Sequence, residues 1–277
     1  MKTLGKVFMG IVYAVLYAPL IVMVVFSFNA ARSTTHFSGF SLRWYSELLG
    51  DFDMRDVLAN TLFISVCAAV VATVLGVIAA YGIFRIRSKR LRNAVNTVTN
   101  IPLTNPDIIT GVSLMMLFTF FGSLLFHRSE ILGFWTLLIA HVTFDTPYVI
   151  LNVLPRLYGS DPTLYEAAMD LGCTRTKAFW KIIFPGIVPG IVSGFIMAFT
   201  LSLDDFIISY YTNGHYNILA TKLYTAVKKP VSPEYYALYS LIFLTIMILM
   251  TVVNVIQFRA ERKKDGGRPT GQKGFAK

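Results

Sequence analysis

The chain has 277 residues, of which 55% are hydrophobic and 14% charged, with a net charge of +10. Soluble domains carry about 25% charged residues, so this composition excludes an ordinary soluble domain and points to a membrane protein. The basic excess comes without the aromatic-interleaved basic patch or motif of a nucleic-acid binder, so no nucleic-acid partner is expected.

In chain order, six stretches are long and apolar enough to span a bilayer: about 7–28, 59–84, 95–122, 131–154, 185–210 and 236–258. Lys2 and Lys6 precede the first, as in a signal peptide, but its apolar core is too long for a cleaved signal and contains Pro19, so a retained helix is expected. Residues 29–58 read as a loop in which Phe40, Leu42, Trp44, Tyr45, Leu48 and Leu49 form a short interfacial helix, with Trp44 at headgroup level. In the second span Ala68, Ala72, Gly76 and Ala80 recur every four residues, and in the fifth Gly186, Gly190, Gly194, Ala198 and Ser202 do the same. Such stripes let helix backbones approach closely. Pro102 and Pro106 in the third span and Pro189 in the fifth predict bends. Residues 211–235 form a second loop containing Asn213-Gly214 and Lys228-Lys229-Pro230. Thus 1–258 is a transmembrane domain, and 259–277 is a polar, basic tail expected to be disordered.

Lys and Arg resist translocation, and their distribution orients the chain. Lys2 and Lys6, the cluster Arg85, Arg87, Lys89, Arg90 and Arg92, the group Arg156, Arg175, Lys177 and Lys181, and the basic tail all fall on one side of a six-span topology. That side is read as the cytoplasm, with both termini in it, where the positive excess faces anionic membrane lipid.

One cytoplasmic stretch stands out. Asp161 is a good N-cap, Pro162 suits the first helical position, and Leu164, Ala167, Ala168 and Leu171 form an apolar stripe. Gly172 can end that helix in the left-handed conformation, Thr174 can cap the next, and Phe179, Ile182 and Ile183 continue an apolar face until Pro185. A small amphipathic helix pair held between spans offers a docking surface. The spacing Glu166-Ala167-Ala168, three residues, Gly172, nine residues, Ile182-Ile183-Phe184-Pro185 resembles the EAA motif of ABC-importer permeases, with Phe184 in place of a leucine. The resemblance implies coupling helices over 162–184 that seat in an ATPase subunit, with Glu166, Ala167, Ala168, Gly172, Ile182 and Pro185 as coupling residues.

Ionisable residues inside spans are costly and mark functional sites. Asp204-Asp205 lies in the fifth span, Asp145 in the fourth before Pro147, and Asp107 follows Pro106 in the third. Acidic groups on a water-filled path suit a cationic substrate, and Phe206, Tyr210 and neighbouring aromatics can contact ammonium groups by cation–π attraction. Asp107 is better read as serving the helix that restarts after Pro106, while Asp145, Asp204 and Asp205, with Phe206 and Tyr210, are the substrate-path candidates. His36, His127, His141 and His215 show no ligand spacing, and Cys67 and Cys173 lie where they cannot pair, so neither a metal site nor a disulfide is expected.

The stretches AFTLSLDDFIISYYTNG from Ala198, YAPLIVMVVFSFN and GFSLRWYSELL near the N-terminus, and NPDIITGVSLMMLF in the third span resemble permeases of spermidine/putrescine importers. Similarity extends over about 8–258. It implies an all-α integral membrane protein of the type I ABC-importer (MetI-like) fold, six-spanning, in the bacterial inner membrane. Implied partners are a second permease in a heterodimer, two ATPase subunits and an extracytoplasmic substrate-binding protein. Branches importing ferric ion, phosphonate or opine share much of this frame, and a secondary cation transporter is the more distant rival. The chain has no Walker loop: in 266–273 Gln272 stands where the lysine belongs. It is therefore expected to be no enzyme and to hold no cofactor, with ATP and Mg bound by the partner ATPase.

Overall fold

The computed structural model describes residues 2–31, 36–126, 131–227, 235–245, 247–248, 251 and 255. Helices run in the order α1 Lys2–Phe26, α2 Arg43–Gly50, α3 Phe52–Arg85, α4 Lys89–Thr104, α5 Asp107–Phe121, α6 Phe134–Tyr158, α7 Pro162–Asp170, α8 Arg175–Ala178, α9 Phe184–Asp204, α10 Ile207–Thr212 and α11 Leu219–Val227. A further apolar helix, α12, covers Tyr235–Thr245. Among the described residues, five helices are long and apolar enough to cross a membrane: Gly5–Phe26, Phe52–Arg85, Asp107–Leu124, Phe134–Tyr158 and Arg175–Asp204. The chain divides into two compact units, 1–54 with 230–277, and 55–229.

In the first unit, α1 leaves Phe8, Val15 and Leu16 more than half exposed, as a helix surface built to meet lipid does. The segment after it is organised by Asn29. Its amide donates to the His36 carbonyl at 2.7 Å and accepts from the Ser38 N–H at 2.9 Å, while its carbonyl accepts the Trp44 indole N–H at 2.6 Å. Trp44 is fully buried, so its ring packs inside the protein and anchors α2 to the segment that follows α1. A buried indole needs a partner for its one donor, and the Asn29 carbonyl is that partner. Phe28, Phe40 and Tyr45 pack around this point. The tail 259–277, Lys228-Lys229-Pro230 and the far part of the sixth span lie outside the described residues.

The second unit has its core where α3, α6 and α9 meet, around Ala69, Ala72, Ala80, Val149, Val153, Ile187 and Ala198. The small-residue stripes create this contact. A Cβ on Gly76 would fall 2.6 Å from the Val149 Cβ, and one on Gly190 would fall 2.7 Å from the Asn152 carbonyl oxygen. No side chain fits there, and the resulting backbone approach replaces the hydrophobic drive that lipid cannot supply. Gly186 is different: among the described residues nothing lies within 4 Å of where its Cβ would be. At the other end of the core, Asn60 and Thr61 of α3 tie down the segment before α11, the Thr61 hydroxyl accepting from the Leu219 N–H at 2.8 Å.

Two of the expected spans are divided in the structure. The stretch 95–122 is divided: α4 ends at Thr104, its C-cap Asn105 has extended backbone (ψ 139) before Pro106, and α5 begins at Asp107. Proline removes one helical donor and pushes the preceding residue out of the helical region, so the chain stops there and restarts. Pro102, by contrast, is accommodated within α4. Asp107 is the first residue of α5, where an acid complements the exposed N–H groups. The stretch 185–210 is also divided, at Asp205 and Phe206.

Candidate functional site

The first candidate surface is the pair α7 and α8. Asp161 caps α7 by accepting from the Thr163 N–H at 2.9 Å and its hydroxyl at 2.8 Å. These bonds to the charged form hold the Asp161 carboxyl below its ordinary range. Gly172 ends the helix with φ +81. Its N–H donates to the Met169 carbonyl, and the Cys173 N–H donates to the Ala168 carbonyl, both at 3.0 Å. This paired return is the Schellman closure, which requires a left-handed residue at that point. The Thr174 hydroxyl then caps α8.

Of the expected coupling residues, Glu166, Ala167 and Pro185 are exposed, Ala168 is buried and Ile182 is half-buried. Leu164 and Trp180 are more than half exposed, and Leu171 is 87% exposed. The apolar stripe foreseen for α7 thus stays largely uncovered by the chain itself. From α8 the helix continues through a π-helical turn at Phe179–Ile183 into α9 without a break.

The second candidate is the break between α9 and α10. The Asp205 carboxylate accepts from the Ile208 N–H at 3.3 Å and the Ser209 N–H at 2.7 Å, supplying partners to the open end of α10. His141 of α6 bridges the break. Its Nδ1 pairs with the Ser202 hydroxyl at 2.6 Å, its Nε2 with the Ser209 hydroxyl at 2.9 Å, and Nε2 is 3.7 Å from the Asp205 carboxylate. All of these polar side chains are buried or nearly so. α10 is seated by Gly111 of α5, where an added Cβ would lie 3.3 Å from the Ile208 Cα.

Phe206 and Tyr210 come together with Tyr224, the Phe206 and Tyr224 rings stacked at 4.4 Å and Phe206 and Tyr210 at 5.6 Å. Asp204 is exposed at the end of α9. Asp145 lies on α6, four residues beyond His141, and is fully buried. The clasp of His141, Ser202 and Ser209 was not legible as a unit. Its one sequence signal was His141 lying four residues before Asp145 in an apolar span, hence on the same helix face.

Residues 72–266 match the family described as binding-protein-dependent transport system inner membrane component. The chain belongs to that family. This inner membrane component is 36% identical over 261 residues to the spermidine/putrescine transport system permease protein PotC of Shigella flexneri, covering 94% of the chain and 96% of the relative. It is 38% identical over 253 residues to the putrescine transport system permease protein PotI of Escherichia coli (strain K12), covering 91% of the chain and 90% of the relative. Its fold is that of a crystallised bacterial ABC transporter involved in import of the acidic polysaccharide alginate, with TM-score 0.70 at 16% identity over 94% of this chain and 95% of that one.

Proposed function

We propose that the chain is the membrane-spanning permease subunit of an ATP-driven importer that carries polyamines, spermidine or putrescine, into the cell. One observation carries the substrate class: near full-length similarity to permeases named for spermidine/putrescine and for putrescine. The acidic residues at the α9–α10 break, next to the half-buried Phe206 and the exposed Tyr210, suit a flexible cation.

In this reading both termini and the α7–α8 pair lie in the cytoplasm, as the basic residues direct. Two ATPase subunits hold ATP and Mg, and a second permease completes a heterodimer. A substrate-binding protein delivers polyamine to the opposite side, where the segments around α2 and α11 receive it. Transport runs by alternating access. ATP binding closes the ATPase pair, α7 and α8 move with it, and the spans open outward. Hydrolysis resets the inward-facing state. Glu166 makes polar contact with the ATPase, Gly172 shapes the turn, and Ala167, Ala168, Ile182 and Pro185 complete the surface. Asp204, Asp205, Phe206 and Tyr210 line the path.

The test is labelled spermidine uptake in cells lacking this gene and restored with the wild-type chain, with putrescine and ferric ion as competitors. Uptake that needs the chain, is reduced by putrescine and ignores ferric ion supports the proposal. Polyamine uptake unaffected by the deletion sinks the polyamine assignment and directs attention to ferric ion, phosphonate and opine. Uptake that survives ATP depletion but collapses with the ion gradients identifies a secondary transporter instead.

A further inference from the structure

Asp145 has no exposed surface, and neither carboxylate oxygen has a hydrogen-bond partner. Among the described residues no Lys or Arg comes within ion-pair distance of it. An ionised carboxylate removed from water and left unpaired is among the costliest arrangements in a membrane bundle. The clasp at the α9–α10 break does not use it, since His141 commits its ring nitrogens to Ser202 and Ser209, and Asp205 commits its oxygens to α10.

Its position follows from register. α3 runs parallel to α6, with Phe63 against Phe134 and Phe84 against Tyr158. α9 runs antiparallel to α6, with Ser202 against His141 and Gly194 against Val149. Gly76 also meets Val149. One turn from Val149 toward His141, Asp145 is therefore level with Ala72 and Thr73 of α3 and with Ala198 of α9. Ala72 and Ala198 are fully buried, and the Thr73 hydroxyl, like Asp145, is buried without a partner. The centre of the three-helix core thus holds a polar point flanked by small residues.

We infer that Asp145 is a cation-accepting station on the transport path, which takes an ammonium group of the polyamine as α3, α6 and α9 part during the cycle. This rests on the polyamine reading above. A buried carboxyl with no partner avoids its costly charged form, and an arriving ammonium group supplies the counter-charge that makes that form favourable, whereas a neutral or anionic solute supplies none.

The test compares the wild-type chain with Asp145→Asn and Asp145→Glu in the assembled transporter, measuring labelled spermidine and putrescine uptake, membrane abundance and ATP hydrolysis. Asp145→Asn is expected to keep abundance and ATP hydrolysis but to lose about tenfold in spermidine uptake, with a smaller loss for the less charged putrescine, as expected when one charged contact is removed. Asp145→Glu is expected to restore most of the spermidine rate. Asp145→Ser carries the same comparison should the Asn variant not insert. Uptake of both polyamines at the wild-type rate overturns the inference, as does an equal loss for both without rescue by Glu. A wild-type chain that moves neither polyamine removes the polyamine reading, and this assignment with it.

Discussion

The turn at Gly172 and the break at Asp205–Phe206 both interrupt a helix within one compact unit, yet they are held by different chemistry. The turn is open to solvent and closed by its own neighbours: main-chain bonds from Gly172 and Cys173, with Asp161 and Thr174 capping the adjoining helices. The break is buried and closed from a distance, by a histidine of α6 that reaches serines on both sides of it. A turn whose bonds are internal can move as a body without losing any of them. A buried break can rearrange only if its polar groups find new partners, because leaving one unsatisfied costs about 1–3 kcal/mol. The first arrangement suits a part that is pushed, and the second a part that switches between discrete states.

The largest effect is expected at the turn. Valine at position 172 must adopt a backbone conformation that costs an L-residue roughly 1–2 kcal/mol, more when β-branched. Gly172→Val is expected to lower polyamine uptake by about tenfold or more while membrane abundance stays unchanged. Normal uptake in this variant would detach the turn from transport.

At the break, His141→Leu removes two buried hydrogen bonds and leaves the Ser202 hydroxyl without its ring partner, an expected loss of about 1–3 kcal/mol in denaturation of the detergent-solubilised chain. Ser202→Ala alone is expected to cost about 1 kcal/mol. Because the two side chains share one network, the double variant should cost less than the sum of the singles. Strict additivity would mean that the clasp does not act as a unit.

The smallest effect is expected at Asp161→Ala, with uptake within about twofold of wild type and faster amide exchange at Thr163. The pH dependence follows from the lowered Asp161 pKa. The cap is fully present above the ordinary aspartate value and is lost as pH falls through the depressed one. Exchange protection at Thr163 should therefore persist at neutral pH and fade only in strong acid.

This contrast also explains what could be read in advance. Asp161, Pro162, Gly172 and Thr174 act on residues within a few positions, so their roles were visible as letters in a row. The stripes Ala68–Ala80 and Gly190–Ser202 were visible for the same reason: helical periodicity is local. His141 and Ser202 are 61 residues apart, and no local pattern announces that they meet. The same holds for Trp44, whose amphipathic helix was foreseen but whose indole partner, the Asn29 carbonyl, was not. The division of 95–122 at Pro106 was signalled as a bend, but the helix stops there, because Pro106 offers no N–H and holds Asn105 in extended backbone.

The unbroken helical run from Arg175 to Asp204 has 30 residues, a length of ~45 Å at helical rise. Such a rod is a lever with its handle at the Gly172 turn and its tip at the His141 clasp. Tilting it by about 10° about its handle end would sweep the tip through ~8 Å by the same geometry, several times the length of the His141–Ser202 bond. A tilt of that run is therefore felt most at the His141 clasp, at the end of the run farthest from the Gly172 turn.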